Sequence, residues 1–148
     1  MADQKIGSEW QNYGSISVSG NASAEATTDV TPRKIANFDT EIDNGVAVAS
    51  HASDQIAIVD AGDYYLSAFV SFSGTLSRTF VVEVYIDGIA SGVKFTRKLG
   101  TGGDVGSSAC GAILALSASD IVTLYHSSTD GGTAFTMVDG QLNIFRLK

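Results

Sequence analysis

Between Ala61 and Gly74 the chain reads AGDYYLSAFVSFSG, a glycine turn followed by a run in which nothing ionises after Asp63. Side chains alternate across a strand, so Tyr64, Leu66, Ala68, Val70 and Phe72 share one face, and Tyr65, Ser67, Phe69 and Ser71 the other. Both faces are substantially apolar, as expected where a strand is covered on both sides. No window holds a 3.6-residue period long enough for a helix. A chain built around such a strand must find a second layer to cover it.

The rest of the sequence repeats this pattern in shorter pieces. VAVAS and QIAIVD precede the long strand, and TFVVEVYIDG follows it. Asp87-Gly88 then signals a two-residue hairpin, with VKFTRKL as the returning strand. TGGDVGSS reads as a flexible glycine loop, ACGAILAL as a buried strand, and IVTLYHSS, TAFTMVDG and QLNIFRLK as the last strands. About eight to ten short strands at this spacing predict an all-β fold, a sandwich or jelly roll. Ala-Ser-Asp precedes a strand twice, at 52–54 and 118–120, which turn chemistry explains without duplication.

Residues 1–32 are polar, small and low in complexity, which predicts an extended N-terminal arm ahead of a domain spanning 33–148. Trp10 and Tyr13 are the large aromatics of that segment. Two readings of them stay open: they fold back onto the body, or they anchor the arm to a partner.

Charge narrows the partners. The formal balance is −7, with ten acids in residues 1–63 against Lys5, Arg33 and Lys34, and six charges of each sign thereafter. A nucleic-acid partner is not expected, because phosphate neutralisation needs clustered Lys and Arg. The first ten residues lack the apolar stretch of roughly 7–15 residues that an export signal needs, and no segment approaches the ~20 apolar residues of a membrane span. Synthesis in the cytoplasm and no membrane partner are the expectations.

Little in the chain points to catalysis. His51 and His126 have no second His or Cys at metal-ligand spacing. No G-x-S-x-G elbow is present, and GTGGDVG lacks the Lys-Ser/Thr of a phosphate cradle. Cys110, the single cysteine, lies among small and apolar residues and reads as an inert buried thiol. Asp39, Glu41 and Asp43 alternate and could offer oxygens to a calcium ion, but they miss the EF-hand spacing and read as a solvated acidic loop. The expectation is a non-enzyme with no catalytic, cofactor-binding or metal-ligating residues.

Three segments carry a resemblance. Gly62-Asp63-Tyr64-Tyr65-Leu66 resembles the G-x-Y-x-F/L strand opening of the trimeric jelly roll shared by tumour necrosis factor and the C1q globular head. Leu114 to Leu124 is similar to that family's L-x-L-x-x-G-D-x-V-x-L segment, with Ser119 where the family usually has Gly. Gly140-Gln141-Leu142-Asn143-Ile144 looks like its closing strand. The resemblance runs from about Ile35 to the C-terminus and implies one C1q/TNF-like jelly roll that forms a homotrimer around its inner sheet.

A jelly roll of this kind with a polar arm also resembles small bacteriophage structural proteins. That implies a virion location and a capsid decoration (cement) protein whose partners are its own copies and the major capsid protein. The alternative is a tail-fibre or spike tip that binds a host-surface carbohydrate or receptor through loops such as GTGGDVG and STDGGT. Under the first reading Trp10 and Tyr13 are the capsid-anchoring candidates, and Tyr64, Phe72, Tyr125 and Phe135 the trimer-interface or core aromatics.

Overall fold

A computed structural model describes residues 13–25, 29–44 and 47–147. The strands are β1 (Tyr13–Val18), β2 (Arg33–Lys34), β3 (Thr40–Asn44), β4 (Ala47–Ser50), β5 (Gln55–Ile58), β6 (Gly62–Gly74), β7 (Thr79–Ile86), β8 (Ile89–Lys98), β9 (Gly106–Leu116), β10 (Ile121–Ser128) and β11 (Phe135–Arg146). One 3-10 turn, His51–Ser53, joins β4 to β5. The strands form two sheets, one ordered β3-β1-β11-β6-β9 and the other β4-β5-β10-β7-β8 with β2 also paired to β10. Every pairing is antiparallel. The expected all-β jelly-roll sandwich is what forms.

The alternation in β6 decides which side meets the second sheet. Tyr64, Leu66, Ala68, Val70 and Phe72 point inward and are buried. They pack with Val82 and Val84 of β7, Leu124 of β10, and Leu142 and Ile144 of β11 into one core between the sheets. At one end, Phe72, Phe80 and Phe135 touch in a triangle with ring centroids 5.0 to 5.7 Å apart.

The Asp87-Gly88 hairpin also forms. Its φ angles are +50° and +75°, the pair of positive values that makes a two-residue turn match strand twist. The Asp87 carboxylate accepts the Ile121 N–H at 2.9 Å, which ties the turn to β10. Ser119 takes a φ of +77°, so the turn before β10 places a side chain in backbone space that suits glycine.

Three expectations are corrected here. Residues 13–18 are not part of an arm: β1 lies inside the five-stranded sheet between β3 and β11, with Ile16 fully buried. Residues 19–25 then run along β11, where the Asn21 N–H donates to Val138 O and the Glu25 N–H to Phe135 O. The domain therefore reaches back past the expected boundary at 33. Serines alternating with Ile16 and Val18 form a half-buried strand, although their composition matches that of an unstructured segment. Likewise Thr40–Asn44, expected as an acidic loop, is edge strand β3. TAFTMVDG and QLNIFRLK, expected as two strands, join in β11, and a bulge between Met137 and Asp139 absorbs the break. Trp10 lies outside the described residues.

Candidate functional site

The outer face of the five-stranded sheet carries the unusual surface of the molecule. Register places Tyr13, Phe145, Tyr65 and Ile113 in one row across β1, β11, β6 and β9. The next row is Ile42, Ser15, Asn143, Ser67 and Gly111, and the one after it Thr40, Ser17, Gln141, Phe69 and Ala109. Large apolar side chains stand open to solvent here: Phe145 is 50% exposed, Tyr65 44%, Phe69 42%, Ile113 63% and Ile42 58%. Scattered apolar residues on a surface need no explanation, but a row of exposed rings along one sheet makes this face the candidate interaction surface.

The face is ordered by its own contacts. The Tyr13 and Phe145 rings lie 6.0 Å apart. A polar band crosses the middle, where the Ser15 hydroxyl donates to Asn143 Oδ1 at 2.8 Å and Gln141 Nε2 donates to Ser15 Oγ at 3.2 Å. Asn143 Nδ2 reaches Ser67 Oγ at 3.4 Å. A Cβ on Gly111 would meet Leu66 O at 2.9 Å and Tyr65 Oη at 3.3 Å, so the absence of a side chain there lets the tyrosine lie across β9. Two shallow grooves flank Phe69. One, of about 460 Å³, includes Tyr65, Ser67 and Gly111, and the other, of about 700 Å³, includes Ser17, Asp39, Asp139 and Gln141.

The sequence candidates fall in different places. Tyr64, Phe72 and Phe135 are fully buried within a single chain, so they are core and offer nothing to a partner. The Tyr64 hydroxyl donates to Asp60 O at 2.6 Å. Tyr125 is half-buried on the outer face of the other sheet, where it stacks on Tyr85 at 4.0 Å. Of the described candidates only Tyr13 belongs to the aromatic face. Tyr65, Phe69, Ile113, Phe145 and Ile42 are not among the sequence candidates. The signal for two of them was present, as large rings alternating with serine on the second face of β6.

The titratable groups serve the scaffold. Glu41 accepts the His51 N–H at 2.7 Å and the His51 ring at 2.8 Å, and these bonds hold its carboxyl below the usual range. Asp43 accepts the Ala49 N–H at 3.0 Å, and Asp39 the Thr40 hydroxyl at 2.9 Å. Glu41 and Asp43 thus brace an edge of the sandwich while the Asp39 carboxylate bonds its own neighbour, and no trio of His, Cys, Asp or Glu among the described residues is grouped to hold a metal. Glu25 is buried and accepts from the Ala36 N–H and Asn37 Nδ2, both at 3.0 Å, while burial pushes its pKa up. Burial likewise raises the Cys110 thiol, which disfavours the reactive thiolate. No helix among the described residues is long and apolar enough to cross a membrane.

No family model matches the chain, and no curated protein does. Among solved structures the chain is similar to the globular domain of zebrafish complement 1qA protein, at 14% identity and a TM-score of 0.67. The match covers 93% of this chain and 98% of that one. At that identity the likeness establishes a C1q-like jelly-roll fold and nothing narrower.

Proposed function

We propose that the chain is a non-enzymatic structural module that assembles as a homotrimer through the outer face of its five-stranded sheet and decorates a bacteriophage shell. The observation that carries the self-association is the exposed row of Phe145, Tyr65 and Ile113, with Phe69 two rows further along β6, on one ordered sheet face. Five strands about 4.8 Å apart, taken over about eight residues, make a face about 24 Å by 27 Å. That approaches the roughly 800 Å² per partner of a stable protein interface. Aromatic anchors are the usual energetic centres of such contacts. The C1q-like fold and the trimeric jelly-roll motifs at Gly62–Leu66 and Gly140–Ile144 support the same arrangement.

Sedimentation velocity at micromolar concentration tests it. The wild type is expected at three times the 15.4 kDa chain. Phe69→Glu combined with Ile113→Glu is expected to be a folded monomer, because both side chains point to the outer face and neither belongs to the core between the sheets. A monomeric wild type would overturn the reading.

Capsid decoration is the finer part, and it rests on the sequence resemblance to small phage structural proteins. Because β1 begins at Tyr13, the test deletes residues 1–12 only. The truncated chain is expected to remain trimeric and to lose co-sedimentation with shells, as is Trp10→Ala to a lesser degree. Undiminished co-sedimentation would remove the anchoring role of that segment. Specific signals on a glycan array without shell binding would favour the spike-tip alternative instead.

A further inference from the structure

We infer that neighbouring copies meet along unlike edges of the sandwich, the acidic β3–β4 edge of one copy against the lysine-bearing β8–β9 edge of the next. This rests on the trimer reading above. When three sandwiches turn one sheet face toward a common axis, their lateral edges are what remain to touch. Rotation about that axis brings an edge to its opposite and never to itself, so the contact is heterologous.

The two edges differ in charge as such a contact requires. On one side stand Asp39, Glu41 and Asp43, all exposed. Their acceptors are engaged by the Thr40 hydroxyl, by backbone N–H groups and by the His51 ring, and no described lysine or arginine pairs with them. On the other side, Arg97 is matched to Asp104 and Arg78 to Asp130, each at 3.4 Å. Lys94 and Lys98 of β8 are exposed and hold no ion pair with a described residue. Glu83 lies across from Lys94, but its Oε1 accepts the Gly92 N–H.

A second feature favours a covered β9 side. β9 is an eleven-residue edge strand of the five-stranded sheet, and Gly106 to Leu116 holds no charge and no proline. Natural edges of that length are normally guarded by Lys, Pro, a bulge or a covering element, because their open N–H and C=O groups recruit other strands. Here the guard is the neighbouring copy, with Lys94 and Lys98, on the outward side of the edge strand β8 that packs next to β9, reaching around to the acids beside β3. Single exposed pairs are weak, but matched arrays set register and exclude wrong pairings.

The test follows self-association of the full chain by sedimentation from about 0.05 to about 0.5 M NaCl, over which the screening length falls from about 14 to about 4 Å. The association constant is expected to drop at least ~10-fold across that range. At low salt, Lys94→Glu with Lys98→Glu is expected to weaken assembly at least ~10-fold, as is Asp39→Lys with Glu41→Lys. Circular dichroism should show each variant folded. The variant carrying all four changes, with its edges swapped in sign, is expected to recover assembly to within about threefold of wild type. A trimer indifferent to salt and to these substitutions, or a fourfold variant no better than the pairs, overturns the edge contact and leaves the trimer standing. A wild type that is monomeric at every salt concentration overturns both.

Discussion

Phe72→Ala is expected to lower the stability of the domain by about 3–5 kcal/mol, the range for removing a buried phenylalanine from a packed core. The ring is fully buried and touches both Phe80 of β7 and Phe135 of β11, so it links the two sheets as well as filling space. It also fills the room left by a glycine: a Cβ on Gly106 would lie 2.8 Å from Phe72 Cζ and 2.8 Å from Leu99 Cδ2. This makes the pair testable as a coupled unit. Gly106→Ala alone is expected to destabilise by about 1–3 kcal/mol through overpacking. Combined with Phe72→Ala, the added methyl finds part of its space vacated, and the two losses should sum to less than their separate values. Chemical denaturation of the four proteins measures this. A loss below about 1 kcal/mol for Phe72→Ala would mean that the aromatic triangle does not join the sheets.

Stability is expected to fall as pH drops from about 6.5 to about 4, with His126 as the cause. The ring is fully buried on the inner side of β10 and stacks on Phe135 at 4.5 Å, nearly parallel. Burial, with a smaller contribution from the Arg33 charge, lowers its pKa from 6.5 to about 4. The unfolded chain therefore takes up a proton first, and each pH unit between the two values favours unfolding by about 1.4 kcal/mol. Across that window the loss is on the order of 3 kcal/mol, and above pH 6.5 the contribution is fully present. Glu25 and Asp54 act in the opposite sense, because burial raises their pKa values and their protonation near the bottom of the window favours the folded state. His126→Phe keeps an aromatic ring against Phe135 but cannot titrate. Its stability measured from pH 8 to pH 4 should lose the decline that wild type shows. Parallel curves for the two proteins would show that another group carries the acid response.

The local features were legible where one short segment settles the matter. The Asp87-Gly88 turn and the strand after Gly62 each depend on a few neighbouring residues, and the structure agrees with the sequence at both, whereas Cys110, expected to be buried, is only half-buried on the edge strand β9. The β1 strand was hidden because Ser15 and Ser17 point to the outer face, and their composition masked the burial of Ile16 and Val18. The Thr40–Asn44 strand was hidden for a related reason. An edge strand needs a partner on one side only, and its carboxylates are spent bracing Ala49 and His51 across the sandwich edge.

By itself the sequence determined the fold class, because period-two alternation, glycine turns and the lack of a helical period are properties of each segment alone. It also determined that β6 would be apolar on both sides. Which side became core and which became surface was decided only by the tertiary structure. Burial of Tyr64 and Phe72, and exposure of Tyr65 and Phe69, follow from which strands pair with β6 and from which face the second sheet covers. A one-residue shift in register would exchange the two sets. Choosing between them takes contacts between residues far apart in the chain, such as Phe72 with Phe135, which no single segment contains.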